Sequence, residues 1–267
     1  MSALTFKLKG KPDQRLDLSP LVPARLARLK QKQIEALVIG TTRAKLSVGD
    51  FFKVKGDDAE RLRFVGTDKR CDNIGKSLSE GEIVVDGNAG AYVGAAMKRG
   101  RIEVKGNAGA LAGASMAGGS LAIAGSAGES AAGILVGETH GMRGGVLTIG
   151  RHAGPLLGER MRRGLVIVGG DAGDYAGGRM IAGTILFKRG VGRNAGYGLR
   201  RGSLIFLREP EDILPTFGDC GVVEFDYLRL LETWLRGTGR PVRLGGRARR
   251  LMGDMSVLGK GEMLILA

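Results

Sequence analysis

A short run in which apolar and polar residues alternate recurs along the middle of the chain. Its paired apolar positions are Ile83 and Val85, Ile102 and Val104, Leu121 and Ile123, Leu147 and Ile149, Val166 and Val168, Ile185 and Phe187, and Leu204 and Phe206. An apolar residue at every second position indicates a β-strand with one buried face. Because a single strand cannot cover that face, we expect equivalent positions of successive runs to stack on one another.

Glycine and methionine columns keep the same register as these runs. Residues 81–100 and 100–119 both read G-x-I-x-V-x-G-x-A-G-x-x-x-G-x-x-M-x-x-G. The boundary glycines are Gly81, Gly100, Gly119, Gly145, Gly164, Gly183 and Gly202, and the methionine column holds Met97, Met116, Met142, Met161, Met180 and then Leu199. The spacing is 19 residues except for one interval of 26, which predicts a seven-residue loop insertion between Gly128 and Met142. A weaker copy precedes them, with Phe64 in the first apolar column.

The repeat predicts an all-β solenoid of about seven 19-residue coils over residues 62–206. A helix is disfavoured, because each of the several glycines per unit would cost it about 1 kcal/mol relative to alanine. The flexible methionine side chains are expected to fill the interior between turns. Residues 1–61 and 207–267 lie outside the repeat and are predicted to form small, partly helical N- and C-terminal caps. One helix is expected near residues 23–36 and another near 225–235.

The charge balance points to a polyanionic partner. Lys and Arg number 41 against 27 Asp and Glu, for a net charge of +14. Basic residues flank the methionine column, which predicts a cationic ridge along one corner of the solenoid. The predicted ridge comprises Lys98, Arg99, Arg101, Arg143, Arg160, Arg162, Arg163, Arg179, Arg200 and Arg201. Guanidinium groups suit carboxylates and phosphates, so the ridge is a candidate contact for an anionic cofactor or a partner protein. The alternative is a solvated face that keeps the stack soluble.

Other partners and locations are disfavoured by the sequence. Aromatic residues scarcely interleave with the basic ones, which argues against nucleic acid. The charged first residues do not resemble a signal peptide, and the least polar stretch, residues 118–137, is a poor membrane span. We therefore expect a cytoplasmic protein with no membrane partner.

Residues able to do chemistry are sparse. His140, in the insertion, is a candidate ligand or general base, although a lone imidazole is more often a surface residue. His152 is the second of only two histidines. Cys71 occupies the repeat position of Gly90 and is predicted to be a small packed residue. We predict no catalytic residue and no metal ligand in this chain.

The repeat resembles the GXGXG β-helix of glutamate synthase large subunits. The whole chain is most similar to the C subunits of the formylmethanofuran dehydrogenase family, and within it to the C subunit of the formyltransferase/hydrolase complex of methylotrophs. The segments that carry the resemblance are VGDFF at 48–52, the repeats from about 62 to 206, and GDMSVLGKGEMLIL at 253–266. The resemblance implies a right-handed parallel β-helix without an active site of its own.

The resemblance also implies a function and partners. Such a protein would be the scaffold of a complex that moves formyl from tetrahydromethanopterin to a methanofuran-type cofactor and releases formate. Its partners would be amidohydrolase-like, formyltransferase-like and further subunits, and the ridge could attract the glutamyl tail of the cofactor. No cofactor would be bound catalytically by this chain. The alternatives are the C subunit of a molybdenum or tungsten formylmethanofuran dehydrogenase, a module of a glutamate synthase-like amidotransferase, and an autonomous enzyme that uses His140.

Overall fold

The computed structural model describes residues 2–41 and 45–266, which are mostly β. The strands are β1 (Ala3–Leu8), β2 (Leu16–Asp17), β3 (Phe52–Lys55), β4 (Asp58–Val65), β5 (Cys71–Asp72), β6 (Glu82–Asp86), β7 (Arg101–Val104), β8 (Ser120–Ile123), β9 (Arg143–Ile149), β10 (Arg163–Val168), β11 (Thr184–Phe187), β12 (Arg201–Phe206), β13 (Gly218–Glu224), β14 (Arg247–Gly253) and β15 (Lys260–Leu266). The helices are α1 (Pro23–Leu26), α2 (Gln31–Glu35), α3 (Val48–Phe51) and α4 (Asp226–Gly237). Among the described residues, no helix has the length and apolar character needed to cross a bilayer.

Thirteen strands form one mostly parallel sheet. Its order is β13-β14-β15-β12-β11-β10-β9-β8-β7-β6-β4-β1-β3, and β2 pairs separately with β5. The predicted stacking of equivalent positions is confirmed, since the first apolar column pairs in register through Ile83, Ile102, Leu121, Leu147, Val166, Ile185 and Leu204. All of these side chains are buried. The sheet therefore grows by one strand per repeat unit.

The register differs from the prediction at the weaker first copy. Phe64 pairs with Val85, and Leu62 pairs with Ile83. The interval between β4 and β6 is thus two residues longer than the 19-residue repeat, which moves Phe64 into the second apolar column. Its ring stacks on Phe6 of β1, with centroids 5.1 Å apart, so the aromatic core at this end accommodates the irregular spacing.

A second line of parallel contacts runs beside the strands. Single parallel bridges join Ala89, Ala108, Ala127, Ala153, Ala172 and Val191 in succession. The glycine after each alanine has no room for a side chain: a Cβ on Gly128 would lie 2.7 Å from the backbone nitrogen of Ala110 in the preceding unit. Each unit therefore meets the next along this alanine column as well as along the strands.

The methionine column and the boundary glycines pack together. The methionines and Leu199 are all fully buried, as predicted. Each methyl end lies under the boundary glycine of the following unit: a Cβ on Gly145 would be 2.7 Å from Met116 Cε, and one on Gly183 would be 2.9 Å from Met161 Cε. These two sequence columns are therefore the two halves of one repeated contact.

Both ends of the parallel stack continue into other strands. At one end β1 pairs in parallel with β4 and antiparallel with β3. At the other, β15 extends the parallel ladder beyond β12, and β14 and β13 add two antiparallel strands.

Arg240, which follows helix α4, extends back over the middle of the sheet. It donates hydrogen bonds to Thr148 Oγ1 (3.1 Å) and Ser120 Oγ (2.9 Å).

The outer face of the last repeat units is covered by helix α4. Its buried residues Leu228 and Leu235 join a second apolar cluster with outward-facing strand residues. Those strand residues are Leu165, Ile167, Leu186, Ile205 and Leu264. The expectation of strands with one buried face is therefore wrong for β10–β12, because a segment distant in sequence covers their second face.

The two predicted helices have different outcomes. The helix expected near 225–235 is confirmed as α4. The single helix expected near 23–36 is instead two short helices, α1 and α2, joined through residues 27–30. Leu26 and Ile34 are buried against the main core, whereas most residues between them are exposed. Leu26 and Ile34 each pack on the core from a separate short helix, so the continuous helix that the sequence predicted does not form.

Candidate functional site

The ten basic residues of the predicted ridge are all exposed, but they are not continuous. The column that follows the methionines reads Lys98, Ala117, Arg143, Arg162, Ile181 and Arg200 from unit to unit. Ala117 and Ile181 interrupt the charge, and Ala117 separates Lys98 and Arg99 from the later arginines. Arg101 begins strand β7 instead, lies 3.6 Å from Glu103, and lines a different cavity with Arg240.

Six of the ten converge on one surface near the C-terminal end of the stack, here called the arginine groove. It consists of two adjoining cavities of about 410 and 490 Å³ that share Arg200 and Ile181. Its basic residues are Arg160, Arg162, Arg163, Arg179, Arg200 and Arg201. The opposite wall is formed by Ser256, Val257 and Leu258, which the sequence places far from the repeats.

The groove carries a large excess of positive charge. Arg179 Nη1 lies 3.3 Å from Glu159 Oε1. In the part of the chain that the structure describes, the other five arginines of the groove form no ion pair with a carboxylate. A cluster of unpaired guanidinium groups is suited to bidentate binding of carboxylates or phosphates.

Two exposed tyrosines adjoin the groove. The rings of Tyr175 and Tyr197 meet edge to face with centroids 6.0 Å apart and line a neighbouring cavity of about 420 Å³ with Arg179. Tyr197 also lines the groove itself. Neither tyrosine was predicted from the sequence, because the column of Tyr175 changes from unit to unit and reads Tyr92, Leu111, Ser130, Leu156, Tyr175 and Asn194.

Asp254 holds the far wall of the groove in place. Its side chain is buried and accepts backbone hydrogen bonds from Ser256 (2.8 Å) and Gly198 (3.0 Å). Burial alone would raise the pKa of this carboxyl, but the hydrogen bonds outweigh burial and hold the pKa below its ordinary value. The ionised form of Asp254 therefore ties the 254–258 loop to the last repeat unit.

Substituting Asp254 by Asn is expected to destabilise the chain at neutral pH but have little effect in acid. A folded-state pKa below the unfolded value means that the carboxylate stabilises the fold above a pH of about 4, and that this contribution is lost as the pH falls through the folded pKa. The urea midpoints of the wild-type and Asp254→Asn chains, measured from pH 7 down to pH 3, should converge as the pH falls. A gap that stayed constant over this range would contradict the assignment.

The insertion is a projecting loop with a fixed base. The buried hydroxyl of Ser115 donates to the backbone carbonyl of His140 (3.0 Å) and accepts from the backbone N–H of Leu135 (3.2 Å). Val136 at its tip is fully exposed. The His140 ring contacts the neighbouring Thr139 hydroxyl at 2.6 Å. Among residues 2–41 and 45–266, no acidic or basic side chain of another element hydrogen-bonds to the His140 ring.

His152 belongs to a column of hydrogen-bond acceptors that was not predicted from the sequence. Each member accepts a backbone N–H of the next unit: Asn107 N–H donates to Asn88 Oδ1 at 2.8 Å, and Asp171 N–H donates to His152 Nδ1 at 3.1 Å. The available signal was the residue before each Ala-Gly pair, which is Asn88, Asn107, Ser126, His152 and Asp171 in turn. His152 thus has a structural partner.

The remaining candidates do not form a reactive centre. Cys71 is fully buried, as predicted, and burial raises the pKa of its thiol to about 11. Cys220 is exposed and far along the chain, in β13. The described residues contain no group of three His, Cys, Asp or Glu side chains able to hold a metal ion.

Comparison with known proteins identifies clear relatives. No family model matches the chain. It is 39% identical over 86 residues to the C subunit of the formyltransferase/hydrolase complex Fhc of Methylorubrum extorquens, and 29% identical over 96 residues to the C subunit of tungsten-containing formylmethanofuran dehydrogenase 2 of Methanococcus maripaludis. These alignments cover 32% and 35% of this chain and the same shares of the two relatives, so the chain spans about a third of the curated relatives it matches.

The structural match extends over nearly the full length. The fold superposes on a chain of the X-ray crystal structure of the formyltransferase/hydrolase complex (FhcABCD) from Methylorubrum extorquens in complex with methylofuran. The TM-score is 0.94 at 39% sequence identity, covering 98% of this chain and 99% of that one. The chain therefore belongs to the family formed by the C subunits of formyltransferase/hydrolase and formylmethanofuran dehydrogenase complexes.

Proposed function

We propose that this chain is a non-catalytic scaffold subunit of a formyltransferase/hydrolase complex. The complex would move formyl from tetrahydromethanopterin to a methanofuran-type cofactor and release formate. The observation that carries the proposal is the full-length match, at 39% identity, to a chain of the FhcABCD structure. The partners would be amidohydrolase-like, formyltransferase-like and further subunits.

The proposed scaffold is a right-handed parallel β-helix over residues 62–206 with caps at residues 1–61 and 207–267. Two parallel contact lines, one through the strands and one through the Ala89 column, support a closed coil per repeat unit. Such stacks pair every rung except the terminal ones, which must be protected from edge-to-edge association. The antiparallel additions β3 and β13–β14 are suited to that capping role.

Purification of the tagged chain from its native host, with identification of what stays bound, tests the proposed function. Formyltransferase-like and amidohydrolase-like partners, with formate released from the formylated furan cofactor, are expected. The second candidate, the equivalent scaffold of a formylmethanofuran dehydrogenase, is favoured by the 29% identity to the tungsten-containing relative and would bring tungsten or molybdenum and iron–sulfur subunits instead. A chain recovered alone would contradict both.

For the cofactor, we propose that the arginine groove contacts the anionic tail of a methanofuran-type molecule. The relative's structure contains methylofuran, and a glutamyl tail presents the carboxylates that unpaired guanidinium groups bind. The groove would hold such a tail through Arg160 in one cavity, Arg162 in the other, and Arg200, which lines both. No chemical step is assigned to these residues; they would hold and orient the tail.

Neutralising Arg160, Arg162 and Arg200 together by Gln is expected to weaken binding of the tailed cofactor to the assembled complex by about tenfold. Binding of the same furan without its tail should not change, because the groove would contact only carboxylates. The matched control replaces Lys98 and Arg99 by Gln, which removes charge outside the groove. Unchanged cofactor affinity together with unchanged assembly in the triple variant would overturn the proposed contact.

A further inference from the structure

Helix α4 has a second apolar side, which the described residues leave partly exposed. Leu228 and Leu235 pack onto the sheet. Tyr227, Leu230 and Trp234, spaced by three and four residues, are 43%, 70% and 44% exposed. Residues three or four apart lie on the same side of a helix. These three side chains therefore form one exposed row, here called the α4 stripe.

The α4 stripe exposes large aromatic and aliphatic side chains that proteins usually bury. Trp234 is the only tryptophan of the chain, and it lies at the surface while the core is filled by Leu, Ile, Val, Met and Phe. Large contiguous apolar patches on soluble proteins mark interaction sites, and Trp, Tyr and Arg supply most of the binding energy at protein interfaces. The composition of this stripe is that of an interface centre.

The stripe begins beside the arginine groove. Tyr227 Oη lies 3.0 Å from Thr184 Oγ1, and Thr184 directly follows Gly183, which lines the groove. In the parallel sheet Thr184 pairs with Leu165 on one side and with Ser203 on the other. Arg163 precedes Leu165 by two residues, and Arg201 precedes Ser203 by two residues. Two residues of chain span at most about 7 Å, and here Gly164 and Gly202 turn the backbone through positive φ. Arg163 and Arg201 therefore lie within about 7 Å, along the backbone, of the strand residues that pair with Thr184 at the Tyr227 end of the stripe.

We propose that the α4 stripe, with Arg163 and Arg201, is the docking surface for one partner protein of the complex whose contact face is an apolar groove bordered by carboxylates. This inference rests on the proposed function, which requires partner subunits. The positive charge of the arginines indicates the kind of partner, because the unpaired guanidinium groups at the Tyr227 end need acidic side chains opposite them. A second copy of this chain would oppose arginine to arginine, which disfavours self-association through this surface.

Replacing Leu230 by Asp tests the surface in the co-expressed complex. The tagged chain is captured and the retained subunits are quantified by native mass spectrometry. We expect one subunit to be recovered at least tenfold less, because a carboxylate then lies at the centre of an apolar contact. Val38 is 51% exposed and lies in the N-terminal segment outside the repeat. Its replacement by Asp is the matched control and should leave the stoichiometry unchanged.

A charge reversal supplies a second variant that does not alter the helix. Arg201→Glu should lower recovery of the same subunit, whereas Arg99→Glu should not. Retention of every subunit at the wild-type ratio in both Leu230→Asp and Arg201→Glu would overturn the docking surface alone, and so would loss of only a second copy of this chain. A wild-type chain that captured no partner would overturn the proposed function, and the inference with it.

Discussion

Replacing Gly145 by Ala is expected to destabilise the chain by about 4 kcal/mol. Gly145 has a φ of +85°, where an L side chain costs about 1–3 kcal/mol. A Cβ there would also lie 2.6 Å from the carbonyl oxygen of Gly119 and 2.7 Å from Met116 Cε. The methionine can move, but the backbone of the preceding unit cannot, so overpacking adds about 1–3 kcal/mol.

The chain offers a matched control at Gly137, in the insertion loop. Gly137 has the same φ of +85°, yet nothing lies within 4 Å of its added Cβ. Gly137→Ala should therefore cost only the backbone strain. Urea unfolding of the two purified variants, followed by circular dichroism, separates the contributions. Equal losses of unfolding free energy would show that backbone conformation, and not the close approach of successive units, explains the boundary glycines.

The periodic part of the fold could be predicted because every repeat unit packs on its neighbours through the same residue positions. Strand register, the buried methionine column and the position of the insertion all follow from contacts between residues 19 apart. The prediction failed where that spacing changes, as at Phe64, which pairs with Val85. It also failed where propensity competes with tertiary packing, as in the broken helix between Leu26 and Ile34.

The sequence predicted the basic residues of the candidate site but not the wall that faces them. The basic residues could be selected because they flank the methionine column, but only those of the last units converge, in the two cavities that share Ile181. The opposite wall, around Val257, comes from a non-repeating segment far along the chain from the arginines of the last unit. No periodic pattern encodes that contact, nor the packing of α4 on Ile167 and Leu186.

Replacing Met161 by Ala is expected to cost about 3 kcal/mol, within the usual range for deletion of a buried methionine side chain. Met161 is fully buried, and its methyl end fills the space beneath Gly183. Since Arg160 and Arg162 flank it in the chain, the cavity should also loosen two arginines of the groove. We therefore expect the variant to unfold at lower urea and to bind anionic probes, such as oligoglutamate, more weakly.

Met161→Leu is the control that separates packing from chemistry. A substitution of similar volume usually costs less than about 1.5 kcal/mol, and the chain itself places Leu199 in the same column two units later. Because the column needs only a flexible apolar group that reaches the next boundary glycine, leucine should restore both the urea midpoint and oligoglutamate binding. If leucine were as damaging as alanine, the methionine would have a role beyond filling that space, since Leu199 is equally buried at the equivalent position.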